Sequence, residues 1–371
     1  MTNNKSGVLP SQELRQLIQK RIIHLPEEYQ DQLAELEQQI QPSSLDLTLG
    51  SHVYRIIARP TAQELQQTPL PKHSYSFDFP LDKEGKILEK DATYLIPTRE
   101  QFQNLPPEIR GLVNNKSSSG RINLQTKFTT RYGDETLTNY HQGMAYNRIT
   151  PCLSMIKAHT GDAINQIRFI CGNSTLDDLA IRLSAPPFLY DKTGAPLPLN
   201  EKYLQDGLIC YLELEQEIIG WKAKRNPAHV LDLQLRNYTV EDFWEPLKVD
   251  EFGRLLLEAG EFYILATKEK VSVPPDYALE MIPYDLTAGE FRSHYAGFFD
   301  PGFGWSSDGS ILGSPATLEV IPYENMYVRD GSVICKFKVE KMRSTPDKIY
   351  GKDMPSSYQN QPAPKLAKYF K

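Results

Sequence analysis

YLIPTREQFQNLPPEIRGLVNNKSSSGR (94–121) is matched later in the same chain by YILATKEKVSVPPDYALEMIPYDLTAG (263–289), with the double prolines at 106–107 and 274–275 aligned. Blocks on either side of this stretch match in the same order. They are SLDLTL with VLDLQL, which sets Asp46 against Asp232, YNRITP (146–151) with LEVIP (318–322), and GDAINQIRF (161–169) with GSVICKFKV (331–339). Such self-similarity is typical of a repeated structural unit. The chain is therefore predicted to contain two copies of one domain.

The segments around these matches indicate that each copy is a β domain. Short runs of alternating apolar and polar residues end at Pro, Gly, Asn or Asp, a pattern typical of strands in a sandwich or barrel. They are SLDLTLG (44–50), HVYRIIA (52–58), ATYLIP (92–97) and RINLQT (121–126). One amphipathic helix is predicted over 11–22, where Leu14 and Ile18 share a face and Ser11 is a candidate cap. The predicted fold is mainly β with a few short helices.

Domain boundaries follow from the repeat and from local composition. Residues 1–188 are predicted to form the first domain and residues 207–371 the second. The stretch between them, 189–206, is rich in proline and polar residues, which is typical of a linker. With 371 residues the chain is long enough to bury two cores.

Composition argues against several classes of protein. The formal net charge of -6 gives no basic field, so a DNA- or RNA-binding protein is not expected. The four cysteines include no CxxC pair, which argues against a disulfide framework and a cysteine-based zinc site. The sequence contains neither an apolar run of about 18 residues nor a secretory leader, so we expect a cytoplasmic protein that does not enter a membrane.

The hexapeptide KSSSGR (116–121) is a candidate phosphate-binding turn. Its Lys and Arg supply positive charge, and the hydroxyls and backbone N–H groups of such a turn can donate hydrogen bonds to phosphate oxygens. A solvated serine-rich turn would have the same sequence. Both interpretations stay open at this point.

Three acidic residues lie in apolar surroundings. Asp46 would orient a basic side chain or bond to a nearby turn. Asp300, within HYAGFFDPGFG (294–304), suits a hairpin that stacks a flat ring and binds a sugar hydroxyl, although a plain core-facing hairpin has the same spacing. Burying the carboxylate of Glu319 is costly unless it is ion-paired or has a catalytic role. Burial would raise the pKa of Glu319 toward the range of a general base. The alternative for Glu319 is an edge-strand side chain that faces water.

The segment IYGKDMPSSYQNQPAPKLAKYFK (349–371) has little apolar periodicity but carries four aromatic residues. It has two interpretations. One is a flap that closes over a ligand, and the other is a frayed terminus.

Catalytic motifs of other enzyme classes are absent from the sequence. None of the seven histidines has a glutamate two residues later, and Pro151-Cys152 is not followed by a second cysteine at position 155. The pattern of the zinc nucleobase deaminases is therefore missing. GxSxG and GxxxxGK[ST] are missing too, which argues against a serine hydrolase of that type and a P-loop enzyme.

In their order along the chain, IQPSSLDLTLG, KSSSGR, HYAGFFDPGFG, TLEV and SSYQNQPAPKLAK make this sequence resemble the dCTP deaminases of the dUTPase-like superfamily. The resemblance covers nearly the whole chain and is greatest to the double-length bacterial form with two tandem domains. It implies two dUTPase-like domains of the β-clip, jelly-roll-like barrel type. It also implies zinc-independent deamination of dCTP to dUTP with release of ammonia, which supplies dUTP for thymidylate synthesis.

The resemblance implies roles for particular residues of this sequence. Glu319 matches the glutamate that activates the attacking water, and Ala296 matches a residue whose carbonyl faces the reacting end of the base. Ser117 and Arg121 match the Ser/Arg motif with which a neighbouring domain completes the site. The implied substrate contacts are Lys116, Ser117, Ser118, Ser119, Gly120, Arg121, Asp300, Thr317, Leu318, Tyr350 and Gln361.

Departures from the family pattern differ between the two copies. Copy one has Arg148 at the position of Glu319, and copy two has Asp285 and Gly289 at the positions of Ser117 and Arg121. Each half therefore lacks what the other retains. This favours one composite site for each pair of complementary domains, within one chain or between two chains.

Two further departures affect phosphate binding. Lys116 stands where the family usually has Arg, and Ser357 stands where the tail usually has Lys. The first keeps a positive charge at its position. Ser357 removes a positive charge, so the C-terminal segment offers one positive charge fewer for phosphate binding.

Three functions stay open on the sequence alone. The first is the deaminase, and the second is a dUTPase-type pyrophosphatase, or an enzyme with both activities, for which Asp300 is a candidate base. The third is a regulatory protein that binds dCTP without turning it over. The implied ligands are dCTP, Mg²⁺ carried on the triphosphate rather than in a protein cage, and dTTP as a candidate feedback inhibitor, with no zinc. A trimer-based homo-oligomer is also implied.

Overall fold

The structure, a computed structural model, describes residues 5–27, 32–184, 187–282, 291–293, 297–354, 356–361 and 364–371. Strands account for 41% of the residues and helices for 10%, which confirms the predicted mainly β fold. The strands of the first half are β1 (Gly7–Val8), β2 (Ile23–His24), β3 (Leu45–Thr48), β4 (His52–Arg55), β5 (Phe77–Pro80), β6 (Lys86–Leu88), β7 (Tyr94–Phe102), β8 (Ile109–Asn115), β9 (Leu124–Thr130), β10 (Gly133–Asp134), β11 (Thr136–Leu137), β12 (Gly143–Pro151), β13 (Ile156–Ala158) and β14 (Ala163–Cys171).

The second half is built from strands of similar lengths in a similar order. They are β15 (Leu189–Tyr190), β16 (Leu208–Tyr211), β17 (Gly220–Ala223), β18 (Leu231–Asp232), β19 (Trp244–Leu247), β20 (Arg254–Leu257), β21 (Tyr263–Val271), β22 (Tyr277–Ile282), β23 (Phe291–Ser293), β24 (Phe298–Phe299), β25 (Ser314–Pro322), β26 (Met326–Arg329) and β27 (Val333–Lys341). The α-helices are α1 (Ser11–Gln19), α2 (Gln32–Gln39), α3 (Ser117–Gly120) and α4 (Asp178–Leu183). Single 3₁₀ turns are Glu64–Gln66, Lys72–Ser74 and Val240–Asp242.

The strand order confirms the duplication. In the first half one sheet runs β12-β7-β4-β5 through its centre, and in the second half the corresponding order is β25-β21-β17-β19. A second sheet joins β3, β14, β8 and β11 in the first half, and β16, β27, β22 and β24 in the second. The pair β13-β6 is likewise repeated as β20-β26. Each domain is therefore a two-sheet β structure with its core between the sheets.

Strand register tests the sequence alignment residue by residue. Arg148 lies opposite Leu95 on β7, and Glu319 lies opposite Ile264 on β21. Since β7 and β21 are equivalent, Arg148 and Glu319 occupy equivalent positions, as the sequence predicts. The alignment of Asp46 with Asp232 is wrong.

The error has a simple structural basis. Asp46 lies on β3, whose equivalent is β16, whereas Asp232 ends β18. Strand β18 belongs to the second half in sequence, but it pairs in parallel with β13 of the first half. Both aspartates stand between leucines, and that local pattern does not specify which sheet a strand joins.

The predicted first helix is present as α1, which buries Leu14 and Ile18. Ser11 is its first residue rather than its cap, and the capping position is Pro10, with no side-chain cap. The Ser11 hydroxyl instead donates a hydrogen bond to the carboxylate of Asp347. The first helix is thereby tied to the C-terminal segment.

A hydrophobic core continues across the boundary between the halves. One core cluster contains Ile164 and other residues of the first half. The same cluster contains Trp244 and Phe262 of the second half and Leu366 and Tyr369 near the C-terminus. Residues of the predicted linker are also packed, because β15 pairs with β21 and Leu204 belongs to the core of the second half. In the part of the chain that the structure describes, no helix has the length and apolar character needed to cross a membrane.

Candidate active site

A cavity of about 300 Å³ lies between the two halves. The first half contributes the turn that follows β8, and the second half contributes β25, the hairpin after β24 and the C-terminal segment. The sequence-predicted residues that line it are Lys116, Ser117, Ser118, Gly120, Arg121, Asp300, Thr317, Glu319 and Tyr350. The structure therefore brings together, within one chain, most of the residues that the sequence singles out.

The KSSSGR turn is a rigid element rather than a solvated loop. It forms the one-turn helix α3, and its entry is fixed because the Lys116 N–H donates to the Ile164 carbonyl at 3.0 Å. Ser118 is buried, with its hydroxyl 2.9 Å from the phenol oxygen of Tyr358. Ser117 is half-buried on the cavity wall. Ser119 is buried and is not part of the lining.

Asp46 orients the lysine of this turn. The Lys116 ammonium donates to Oδ2 of Asp46, which also accepts a hydrogen bond of 3.3 Å from the amide of Gln41. The other carboxylate oxygen of Asp46 is buried and has no hydrogen-bond partner. Of the two sequence interpretations of Asp46, the structure favours the one in which it holds a basic side chain at the site.

Arg121 is held by the C-terminal segment. Its Nη1 donates to the amide oxygen of Gln361 at 3.1 Å and to the carbonyl of Lys365 at 3.0 Å, and its guanidinium carbon lies 3.9 Å from the centre of the Tyr358 ring. Its buried Nε has no hydrogen-bond partner and lies 3.8 Å from Oε1 of Glu319. A donor and an acceptor from opposite halves thus face each other at slightly more than hydrogen-bond distance.

Glu319 is a buried carboxyl group on β25 and is 6% exposed. Burial raises the pKa of Glu319 to about 7, although the positive charge of Arg121 acts in the opposite direction. A carboxyl group with a pKa near neutrality is suited to accept and return a proton. The interpretation of Glu319 as a water-facing edge residue is wrong.

Asp300 lies in a tightly closed hairpin. Its Oδ1 accepts a hydrogen bond of 2.5 Å from the Ser43 hydroxyl, and burial raises its pKa against the opposing effect of Arg168. The turn after it needs glycine, because a Cβ on Gly304, at φ +62°, would lie 2.1 Å from the Val271 carbonyl oxygen. The neighbouring Phe298 lines the cavity. Its ring lies against the guanidinium of Arg168 at 4.0 Å.

The C-terminal segment is docked rather than frayed. The Gln361 amide donates to the Pro315 carbonyl at 2.8 Å, and Leu366, Ala367 and Tyr369 are buried in the core shared by the halves. Tyr350 is packed with its ring centre 6.0 Å from that of Phe303, and burial raises its pKa to about 12. The segment contributes to the cavity lining, and its interpretation as a frayed terminus is wrong.

Besides Ser119, three predicted residues are absent from the cavity lining or are not described. Gln361 is buried and holds Arg121 but is not part of the lining. Leu318 is fully buried in the core of the second half and does not line the cavity. Its direction follows from strand geometry, since neighbouring side chains on β25 point to opposite faces. Ala296 lies outside the described residues, as do Asp285 and Gly289.

Several lining residues were missed by the sequence interpretation. They are Gln41, Asn115, Gln166, Arg236, Phe298, Tyr358 and Lys368. Arg168 was missed as well, and it is fully buried on β14 although it is charged. A charged residue inside the run AINQIRFIC is a signal that could have been recognised.

The equivalent place in copy one is occupied by ion pairs. Arg148 donates to Oδ2 of Asp134 at 3.0 Å, and Arg59 donates to Oδ1 of the same carboxylate at 3.1 Å. The position that holds the carboxyl group of Glu319 in copy two therefore holds a structural cation in copy one.

Within the described residues, one acidic cluster has side chains close enough to share a metal ion, namely Glu213, Glu215 and Asp330. These carboxylates are paired with Lys192 and Lys268, and none of the three lines the cavity. The cluster is therefore a lysine–carboxylate network on the second domain.

Two tandem domains of this topology, with a polar cavity between them, define a protein of the dUTPase-like fold. Two family models match the chain: the 2'-deoxycytidine 5'-triphosphate deaminase N-terminal domain over residues 5–173 and the C-terminal domain over residues 192–370. The crystal structure of 2'-deoxycytidine 5'-triphosphate deaminase from Agrobacterium tumefaciens is 30% identical and superposes with a TM-score of 0.77, over 94% of this chain and 99% of that one. The chain belongs to the dCTP deaminase family.

Curated relatives are more distant and match part of the chain. The dUMP-forming dCTP deaminase of Methanosphaera stadtmanae is 29% identical over 174 residues, which is 46% of this chain and 82% of the relative. The dUMP-forming enzyme of Methanothermobacter thermautotrophicus is 26% identical over 34% of this chain and 62% of its own length. The dCTP deaminase of Haloarcula marismortui is 26% identical over 35% of this chain and 64% of its own length.

Proposed function

We propose that this protein deaminates dCTP to dUTP and ammonia at a composite site between its two halves. The observation that carries the proposal is the pair formed by Glu319 and Arg121, whose Oε1 and Nε lie 3.8 Å apart at the buried wall of the cavity. A carboxyl group with a pKa of about 7 is thereby placed beside a fixed cation that has an unused donor.

The chemistry proposed for this pair is hydrolytic. Glu319 accepts a proton from water, and the water oxygen forms a bond to C4 of cytosine. The C4=N3 double bond opens as N3 takes that proton from Glu319. Glu319 then takes the hydroxyl proton and passes it to the amino group, which leaves as ammonia when the C4–N bond breaks and the carbonyl forms. General base catalysis of this kind contributes about 10²–10⁴-fold in rate. Ser117 and Arg121 would position the water and stabilise the charge that develops at the ring.

The other lining residues would bind the remainder of the nucleotide. Asp300, which is buried beside Phe298, faces the cavity where a deoxyribose hydroxyl would be bound. Lys116 and Ser118 on the KSSSGR turn offer a cation and a hydroxyl to phosphate oxygens. Mg²⁺ would enter with the triphosphate as part of the substrate.

The proposal includes independence from zinc and assembly of the site within one chain. Zinc independence is supported by the missing H-x-E and P-C-x-x-C motifs, because those motifs supply the ligands in zinc deaminases. Assembly within one chain is supported by the contacts of Arg121 with Gln361 and Glu319. Neither half contains both sets of groups by itself.

A second candidate is an enzyme that also hydrolyses dUTP to dUMP and pyrophosphate. The two archaeal relatives named as dUMP-forming favour it, and Asp300 is a carboxyl group in the same cavity. The ion pairs around Arg148 in copy one are compatible with a third candidate, a regulator that binds dCTP without turnover.

The experiment that tests all three is a product assay. Purified full-length protein is incubated with dCTP and Mg²⁺, with and without a zinc chelator, and ammonia, dUTP, dUMP and pyrophosphate are measured separately. We expect equal amounts of ammonia and dUTP, unchanged by the chelator. Pyrophosphate and dUMP in addition would establish the bifunctional enzyme. Binding of dCTP without ammonia release would replace the proposal with the regulatory role.

A further inference from the structure

Two cations in the cavity lining have no ion-pair partner among the carboxylates of the described residues. Lys116 is paired with Asp46, and Arg121 faces Glu319. Arg236 and Lys368 line the same cavity, yet neither forms an ion pair with any carboxylate that the structure describes. Unpaired cations around a cavity produce a positive local potential, which favours an anionic ligand.

These cations are close enough to repel one another. The pKa of the Lys368 ammonium is lowered by burial and then by the positive charges of Lys116 and Arg236, with smaller opposing effects from Asp46 and Asp162. Lys368 is half-buried and Arg236 is exposed, so the cost of placing like charges near each other falls mainly on Lys368 and is offset when a counter-charge binds there. A polyphosphate carries that counter-charge.

Backbone pairing joins the two segments that carry these residues. Tyr238 donates its N–H to the Tyr369 carbonyl at 3.1 Å, and the N–H of Lys371 donates to the Tyr238 carbonyl at 3.0 Å. Tyr238 and Phe370 thus form a parallel bridge. Arg236 and Lys368 each precede this bridge by two residues, and both line the cavity.

The other lysine of the C-terminal segment near the site is already engaged. Lys365 donates to the carbonyl of Ser357 at 2.6 Å and is not part of the cavity lining. Ser357 itself lines the cavity but is neutral. The positive charge that the segment offers to the cavity therefore comes from Lys368.

We propose that Arg236 and Lys368 form an anchor for the polyphosphate end of the nucleotide, so that the segment after β18 and the C-terminal segment together select a triphosphate over an unphosphorylated nucleoside. This inference rests on the proposed function, because it takes the cavity to be the nucleotide site. The two cations would supply the positive charge that the neutral Ser357 does not provide. Each cation would make charge-assisted hydrogen bonds to phosphate oxygens.

The test is a comparison of ligands that differ in charge. In the full-length Glu319→Gln protein, which should bind substrate without turnover, affinities for dCTP with Mg²⁺, for inorganic tripolyphosphate and for deoxycytidine are measured by calorimetry. Lys368→Met and Arg236→Gln are each expected to weaken dCTP and tripolyphosphate binding by about tenfold to about a hundredfold and to leave deoxycytidine binding unchanged. Lys368→Arg should retain most of the affinity.

Lys371→Met is the matched control, because Lys371 is exposed on the same segment and does not line the cavity. Thermal unfolding of each variant verifies that it is folded. Unchanged dCTP affinity in both charge-removing variants, or an equal loss for deoxycytidine, would overturn the anchor. If the unmodified protein releases no ammonia while the variants still lose tripolyphosphate binding, the deaminase proposal fails and the anchor is supported.

Discussion

The guanidinium of Arg168 and the carboxylate of Glu340 form an ion pair between the two halves, with Nη1 and Oε2 2.9 Å apart and the side chains 0% and 1% exposed. Arg168 also donates to the Leu279 carbonyl at 3.2 Å and to the Ser43 hydroxyl at 3.0 Å. Ser43 in turn donates to Asp300. One arginine of the first half thus positions both the body of the second half and a carboxyl group of the candidate active site.

Removing either member of this ion pair should destabilise the protein strongly. Arg168→Met leaves the buried Glu340 with only the weaker partner Lys338, whose ammonium lies 3.7 Å from Oε1, and Glu340→Gln removes the carboxylate that pairs with the buried Arg168. We expect each change to lower the free energy of unfolding by about 3–5 kcal/mol, measured by urea denaturation. The double variant should lose clearly less than the sum, because the second change removes a charge that the first left unpaired. Additive losses would show that the pair is not coupled.

Glu319→Gln should abolish most of the deaminase activity. The amide keeps the shape of the side chain but cannot accept the proton, so kcat should fall by about 10²–10⁴-fold while the Kd for dCTP changes little. Because burial raises the pKa of Glu319 to about 7 and the carboxylate is the active form, kcat/KM of the unmodified protein should rise with pH up to about 7. A flat profile between pH 5 and about 7 would contradict this assignment.

The same carboxyl group has an opposite effect on stability. Its pKa is 4.5 in the reference state and about 7 when folded, so the folded state binds more protons than the unfolded state within that range. The stabilising contribution is complete below pH 4.5 and is lost as the pH rises to about 7. Glu319→Gln should remove this loss, and its Tm should exceed that of the unmodified protein at about pH 8.

Mixing two inactive variants should distinguish a site within one chain from a site between chains. Arg121→Ala and Glu319→Gln each remove one member of the pair that lies 3.8 Å apart in a single chain. We expect no recovery of ammonia release when the purified variants are mixed, after partial unfolding and refolding together to allow exchange. Recovery to about a quarter of the unmodified activity would assign the partners to different chains.

Tyr358 has two separable roles at the site. Its hydroxyl lies 2.9 Å from that of Ser118, and its ring stacks on Arg121. Tyr358→Phe should raise the KM for dCTP by about two- to tenfold through loss of one hydrogen bond. Tyr358→Ala removes the stacking as well, and its kcat should fall in addition because Arg121 is no longer held. Steady-state kinetics that are identical for the two variants would show that the ring has no separate role.

Sequence patterns predicted the parts of this protein that depend on local order. The repeat predicted two equivalent domains and the equivalence of Arg148 with Glu319, because aligned strands retain their register when a domain is duplicated. Alternation along β25 would also have excluded Leu318 from the cavity, since its neighbour Glu319 points into it.

Residues whose role depends on distant pairing were not predictable in this way. Asp232 resembles Asp46 in its immediate neighbours, but β18 pairs with the other half of the chain. Arg236 and Lys368 line one cavity although they are far apart in sequence, and the bridge between Tyr238 and Phe370 joins their segments across 132 positions, from 238 to 370. Nothing in the residues around either cation indicates the other.

The continuous apolar core around Ile164 and Trp244 has a consequence for how the protein melts. If either half unfolded alone, the half that stays folded would expose its own share of the core, and unfolding of the second half would also expose the edge of β13 where β18 now pairs. An intermediate with one intact half is therefore disfavoured. In a calorimeter the chain should give a single heat-absorption peak, with the enthalpy of a unit of 371 residues rather than that of two independent domains.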